Sequence, residues 1–146
     1  MIAELALCLV VAVTDGDTLK VRCGDPGAYE QVTIRLAEID APERAQAFGQ
    51  RSKSALSELC FGEVAGIKPV TLDRYGRTVG HVRCKDQDAS AEQVRRGMAW
   101  AYTKYLTDPA IKPLENAARA GRAGLWADPD PVAPWLWRKA RKQVAK

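Results

Sequence analysis

The chain is poor in the groups that build common metal and membrane sites. It has one histidine, His81, and its four cysteines, at 8, 23, 60 and 84, lack the short paired spacings of a zinc site. No apolar run approaches the ~20 residues of a bilayer span, so no membrane-crossing helix is expected. No segment repeats, which excludes a solenoid. A basic body is also lacking. The net charge is +4, but five basic residues and no acid fall in the last nine positions, 138–146. Without those five charges the other 137 residues sum to −1. Net charge therefore says little about nucleic acid, and any such argument rests on local clusters.

What is present describes an ordinary globular chain. Hydrophobic residues make up 47% and charged residues 27% of its 146 positions. That length forms one domain able to bury a core without metals. We expect the body over residues 1–128. Residues 129–146 read as a basic extended tail with Pro129, Pro131 and Pro134, ending as a solvated terminus. Its Trp135 and Trp137 are expected to fold back on the body.

Residues Ile2 to Val13 have the apolar character of a leader but carry Glu4, lack a basic start and show no convincing cleavage site. They read as a first strand. Asp15-Gly16 then marks a two-residue hairpin. With that turn, Ala12 faces Leu19, Val10 faces Val21 and Cys8 faces Cys23, all on one apolar face. Opposed strand residues lie ~4.5–5.5 Å apart at Cα, within reach of a disulfide. A Cys8–Cys23 bond follows, and Cys60–Cys84 by elimination. Paired cysteines imply a periplasmic or secreted protein whose leader lies outside this numbering. Buried free thiols in a cytoplasmic protein are the alternative.

Further along, Gln31 to Ile39 reads as the third strand. A helix covers about Phe48 to Leu59, and two strands cover 63–72 and 78–84. Ser90 and Gln93 read as a capping box opening a short helix that closes at Gly97. Pro113 suits the first turn of a third helix running to about Arg119. Five short strands with a helix between the third and fourth predict an α+β fold: a five-stranded Greek-key barrel of the OB type with three helices.

The chemistry lies around Val32–Glu43 and two flanking blocks. Asp17 and Asp40 are hard-oxygen donors; with the Ala41 carbonyl and water they could hold a cation such as Ca²⁺. Glu43 could orient or deprotonate a water. Arg35 and Arg77 could hold a phosphodiester between two guanidinium groups. Tyr102 and Tyr105, near Lys104, could stack on a base and contact a phosphate. Each residue alone has a plainer explanation as a turn former, helix-start acid, solvated arginine or core aromatic. Arg35 and Asp40 also sit five apart, on opposite faces of an ideal strand. They converge only if the chain bends before Asp40 or Asp40 lies past the strand end.

In order, the blocks Asp15-Gly16-Asp17-Thr18, Ile34-Arg35-Leu36, Ile39-Asp40-Ala41-Pro42-Glu43, Asp73-Arg74-Tyr75-Gly76-Arg77, Gly97-Met98-Ala99-Trp100-Ala101-Tyr102 and Gly124-Leu125-Trp126 resemble the staphylococcal nuclease (thermonuclease) family. The resemblance implies an OB barrel with three helices and Ca²⁺-dependent hydrolysis of DNA and RNA that leaves 3′-phosphates. It implies calcium ligation by Asp17, Asp40 and the Ala41 carbonyl, with Glu43 as general base or water-positioning residue. Arg35 and Arg77 would clamp the scissile phosphate, and Arg74 and Tyr75 would touch its neighbour. Tyr102 would stack on a base, and Lys104 and Tyr105 compete for the next contact. The cysteines and the Trp137-Arg138-Lys139 end are similar to those of exported or plasmid-associated bacterial members. A monomer acting on nucleic acid, away from membranes, is expected. The alternatives are a binding module of the same fold, without catalysis, and a small disulfide-stabilised structural domain.

Overall fold

A computed structural model describes residues 5–144. Five strands form the barrel: β1 (Ala6–Asp15), β2 (Thr18–Cys23), β3 (Glu30–Leu36), β5 (Val64–Leu72) and β6 (Thr78–Cys84), joined by the short β4 (Ile39–Asp40), β7 (Gln87–Asp88) and β8 (Trp100–Ala101). The sheet runs β3-β2-β1-β5-β6-β7, and a parallel β3–β6 pairing from Ile34↔Thr78 to Leu36↔Gly80 closes it. Closure buries alternate residues of every barrel strand, among them Val10, Leu19, Val21, Ile34, Leu36, Ile67 and Val82. Four α-helices surround the barrel among the described residues: α1 (Gly49–Cys60), α2 (Ala89–Arg95), α3 (Ile111–Ala120) and α4 (Pro134–Val144). None of them is long and apolar enough to cross a membrane. The α+β OB-type barrel matches the sequence expectation. The helix count differs by α4.

The first hairpin keeps the expected pairing near the cysteines, with Leu9↔Arg22 and Val10↔Val21. It then slips, to Ala12↔Lys20, Val13↔Leu19 and Asp15↔Thr18, so the turn is Gly16-Asp17 rather than Asp15-Gly16. The irregularities bend β1 as barrel curvature requires. They also seat Gly16 against α1, where a Cβ would lie 1.7 Å from Ser52 Oγ. Cys8–Cys23 and Cys60–Cys84 are both bonded, and no described cysteine is free.

Three other elements differ from expectation. The third strand ends at Leu36, not Ile39, because Ala37-Glu38 forms a turn with Glu38 at φ 78°. Helix α2 is capped by Asp88, whose carboxylate accepts from the Ala91 amide at 3.0 Å, and not by Ser90. Ser90 instead donates to the Ala37 carbonyl at 2.8 Å, and Gln93 donates to the Gly16 and Ser52 carbonyls at 2.8 and 3.0 Å. Starting the helix at Ala89 turns both side chains inward. Residues Pro134–Val144 form α4 instead of an extended, solvated tail, with Pro134 as the first helical residue. Of the expected first strand, Ile2–Glu4 lies outside the described residues, as do Ala145 and Lys146 at the other end.

The Cys8–Cys23 bond closes 15 residues between strands that already pair. Replacing both with serine should lower unfolding free energy by about 2–4 kcal/mol. Urea denaturation of the double variant against the parent, under non-reducing conditions, measures it.

Candidate active site

Four barrel features converge at one end. The Gly16-Asp17 turn delivers Asp17, whose backbone carbonyl accepts from the Leu36 amide at 2.8 Å. Its Oδ2 accepts from the Ala41 amide at 2.8 Å, and its Oδ1 accepts from the Thr18 hydroxyl at 2.8 Å. Strand β4 pairs with β8, Ile39 opposite Ala101 and Asp40 opposite Trp100. The β8 backbone is itself pinned by the buried Glu115 of α3, which accepts from the Ala101 amide at 2.6 Å. Asp17, Asp40 and Ala41 thus meet at one buried corner.

Arg35 resolves the strand-parity problem. Its Nη1 donates to the Leu36 and Ile39 carbonyls at 3.0 and 2.9 Å, stapling the Ala37-Glu38 bend. Its Nη2 donates to Asp40 Oδ1 at 3.2 Å, and Nη1 lies 3.4 Å from Asp17 Oδ2. One guanidinium therefore bridges both aspartates. Two of its five N–H donors remain beyond these three hydrogen bonds.

Glu43 lies two residues past Ala41 in a compact loop, held by the Gln46 amide donating to the Glu43 carbonyl at 2.9 Å. Gly49 lets the chain fold this tightly, since a Cβ there would lie 1.9 Å from the Glu43 carbonyl oxygen. The Glu43 side chain is joined to the corner by Arg138 of α4. Arg138 Nη1 donates to Glu43 Oε1 at 2.9 Å and Asp40 Oδ1 at 3.1 Å, and Nη2 donates to Asp40 Oδ2 at 2.7 Å.

The remaining expected residues make no hydrogen bond or ion pair to these acids among the described residues. Arg35 pairs with Val79 across the parallel sheet, so Arg77, two residues earlier, shares the face of Arg35. Its Nε donates to Asp73 Oδ2 at 2.6 Å. Asp73 Oδ1 accepts from the Tyr75 and Arg77 amides, each at 2.9 Å, which fixes the turn between β5 and β6. Arg74 and Arg77 flank the exposed Tyr75 ring at 5.0 and 5.6 Å. Tyr102 follows β8, with the Tyr105 ring edge-on at 5.0 Å and Lys104 5.3 Å from the Tyr105 centroid. The Tyr102 ring is stacked by Trp135, centroids 5.3 Å apart and 6° from parallel.

The electrostatics of the corner are those of crowded acids. Burial, and then the charges of Asp17 and Glu43, raise the Asp15 carboxyl above the usual aspartate range. Burial also raises that of Asp40; Asp17 adds to the effect, while the Arg138 and Arg35 contacts oppose it. Asp15 Oδ1 is buried without a hydrogen-bond partner, and its nearest cation is Arg44 Nε at 3.6 Å. The Asp17 and Asp40 carboxylates and the Ala41 carbonyl are hard oxygen donors of the kind a hard divalent cation takes. Among the described residues no three acidic, imidazole or thiol side chains gather as ready ligands. Protein donors would then be two carboxylates and a carbonyl, with water completing the shell.

Trp135 folds back on the body as the sequence predicts; Arg138 is missed where the three prolines are read as marks of extended chain. Proline at a first helical position, followed by an aromatic and an arginine spaced i, i+3, was the available signal. Gln93 fits a capping pattern and a buried glutamine equally well in sequence, and the structure makes it the latter.

The Asp73 carboxyl is held below its usual range: burial opposes this, but the Arg77 amide and side chain and the Tyr75 amide outweigh it. Its contribution is therefore full above the unfolded value near 3.8 and fades as pH falls through the lower folded value. Asp73→Ala should cost about 1 kcal/mol at pH 7, with the two proteins converging on acidification. Chemical denaturation from pH 7 down to below the folded titration of Asp73 measures the gap, and a gap that persists below that titration would refute the linkage.

The geometry can be set beside known proteins. The family model "Staphylococcal nuclease homologue" matches residues 33–128. An "Uncharacterized endonuclease" of Haemophilus influenzae is 44% identical, covering 95% of this chain and 76% of that protein. A "Micrococcal nuclease" of Shigella flexneri is 40% identical over 92% of this chain and 82% of its own length. "Protein ParB" of Escherichia coli is 41% identical over 89% and 77%. With that match, and an OB barrel that brings Asp17, Arg35 and Asp40 to one corner, this chain belongs to the staphylococcal nuclease family of nucleases.

Proposed function

We propose that this chain is a calcium-dependent nuclease that hydrolyses phosphodiester bonds of DNA or RNA and leaves 3′-phosphates. The observation that carries the reading is the single ion-pair network joining Asp17, Arg35, Asp40 and Glu43. Two buried aspartates beside a partly exposed glutamate at one corner suit catalysis better than a purely structural or binding role. The carboxylates of Asp17 and Asp40, with the Ala41 carbonyl, would hold the cation. When bound, calcium supplies charge neutralisation at the phosphate and a polarised water.

The chain's own groups do the rest. Glu43 accepts or steers the proton of the attacking water, which enters opposite the departing 5′-oxygen. The free N–H groups of Arg35 and the Nη groups of Arg77 bind the phosphate oxygens and favour the more negative transition state. Asp73 takes Arg77 Nε, so that both Nη groups would remain for the phosphate. Arg74 and Tyr75 would touch the neighbouring phosphate, and the Tyr102–Trp135 pair, with Lys104 or Tyr105, would offer a platform for a base. The two disulfides support an extracytoplasmic site of action for a monomeric enzyme.

Glu43→Gln and Arg77→Ala should each lower kcat by about 10²-fold or more while circular dichroism stays unchanged. Plasmid DNA should be degraded with calcium and survive with chelator, and ³¹P NMR of the products should show 3′-phosphate ends. Retarded but intact plasmid would instead identify a binding module of the same fold.

A further inference from the structure

Among the described residues Arg138 alone bonds both Asp40 and Glu43. We propose that Arg138 is a positioning residue of the nuclease centre, fixing the Glu43 carboxylate relative to Asp40. The proposal rests on the nuclease reading above.

Glu43 needs such a partner. It stands in a loop outside any helix or strand, and its side chain is 35% exposed. A three-torsion side chain in that setting samples many rotamers unless something holds its end. Arg138 takes one oxygen, Oε1, and among the described residues no donor reaches Oε2. That is the arrangement a water-orienting carboxylate requires: one oxygen fixed, the other open.

The holder is itself rigid. Both Nη groups of Arg138 engage Asp40, whose side chain is fully buried. The helix behind it is anchored by aromatics. Trp135, one turn earlier on the same face, stacks on Tyr102 and meets Trp100 edge-on at 5.6 Å. Trp137 lines a cleft with Pro42, Phe48 and Trp100. Gln46, which braces the Glu43 loop, donates to the Val132 carbonyl at 2.7 Å just before α4. The loop and the helix are thus tied together twice, through Gln46 and through Arg138.

The contact leaves Asp40 able to serve a cation. A carboxylate has about four acceptor positions. Arg35 and Arg138 fill three of those on Asp40, and Oδ2 retains one. Residues 134–144 then belong to the working centre instead of trailing from it.

The full chain with Arg138→Gln and with Arg138→Lys tests this. The expected result for Arg138→Gln is a kcat about 10²-fold lower, the loss typical of a displaced catalytic group. KM for DNA and the calcium dissociation constant from titration calorimetry should stay within about threefold. Arg138→Lys keeps the charge but not the fork, and should recover only part of the rate. Adding methylguanidinium to Arg138→Ala should raise its rate, while methylammonium should not. Lys142→Gln, an exposed change on the same helix, should leave kcat unaltered. A kcat for Arg138→Gln within twofold of the parent overturns the assignment. So does calcium binding at least tenfold tighter together with faster cleavage, which would make α4 an obstruction. A parent chain that cleaves nothing with calcium overturns the nuclease reading and this one together; a parent that cleaves beside an equally active Arg138→Gln overturns this one alone.

Discussion

The structure is organised around a carboxylate removed from water. The Asp40 side chain has no solvent exposure, and an unpaired buried charge would cost several kcal/mol. The fold answers with two guanidinium groups from opposite ends of the chain, Arg35 five residues before it and Arg138 ninety-eight residues after it. Meeting that one charge draws in the rest: Arg35 reaches Asp17, and Arg138 reaches Glu43. Even so, burial leaves the Asp40 carboxyl above its usual range. The pairing holds the acids together at one corner.

Main-chain geometry makes the arrangement stiff. Glu38 adopts a left-handed conformation, its carbonyl accepts from the Tyr102 amide at 2.8 Å, and its carboxylate clasps the Thr107 hydroxyl and the Thr107 and Asp108 amides. The bend that separates Arg35 from Asp40 is therefore tied to the segment carrying Tyr102, Lys104 and Tyr105. On the other side Gln93 spans Gly16 and Ser52, locking the Asp17 turn to α1. Buried polar groups that satisfy backbone atoms in this way specify one geometry where apolar packing would tolerate several.

A second layer is aromatic. Trp100 packs against Trp126 at 4.6 Å and Trp135 at 5.6 Å, and Arg119 lies over both Trp100 and Trp126 at 5.0 and 4.1 Å. The same Trp100 stands opposite Asp40 in the β4–β8 pair. The apolar cluster that secures α3 and α4 thus abuts the acidic corner directly, keeping water scarce and ionic contacts strong there.

Much of this was legible in one dimension. Alternating apolar residues marked the barrel strands, because a half-buried strand repeats every second residue. The hairpin register near Cys8 and Cys23 followed from sorting its two faces, and the ordered acidic and basic blocks pointed to the family. Sequence could not show where a regular pattern would be broken: the slip that moved the turn to Gly16-Asp17 and the bend at Ala37-Glu38 answer to barrel curvature and to Arg35 seeking carbonyls. Nor could it show that Arg138 would join Asp40 and Glu43. The residues present, their charges and their periodicity were fixed by the chain itself. Which distant charges became neighbours was settled only by folding, because a buried carboxylate takes whichever cation the closed barrel brings within hydrogen-bonding distance.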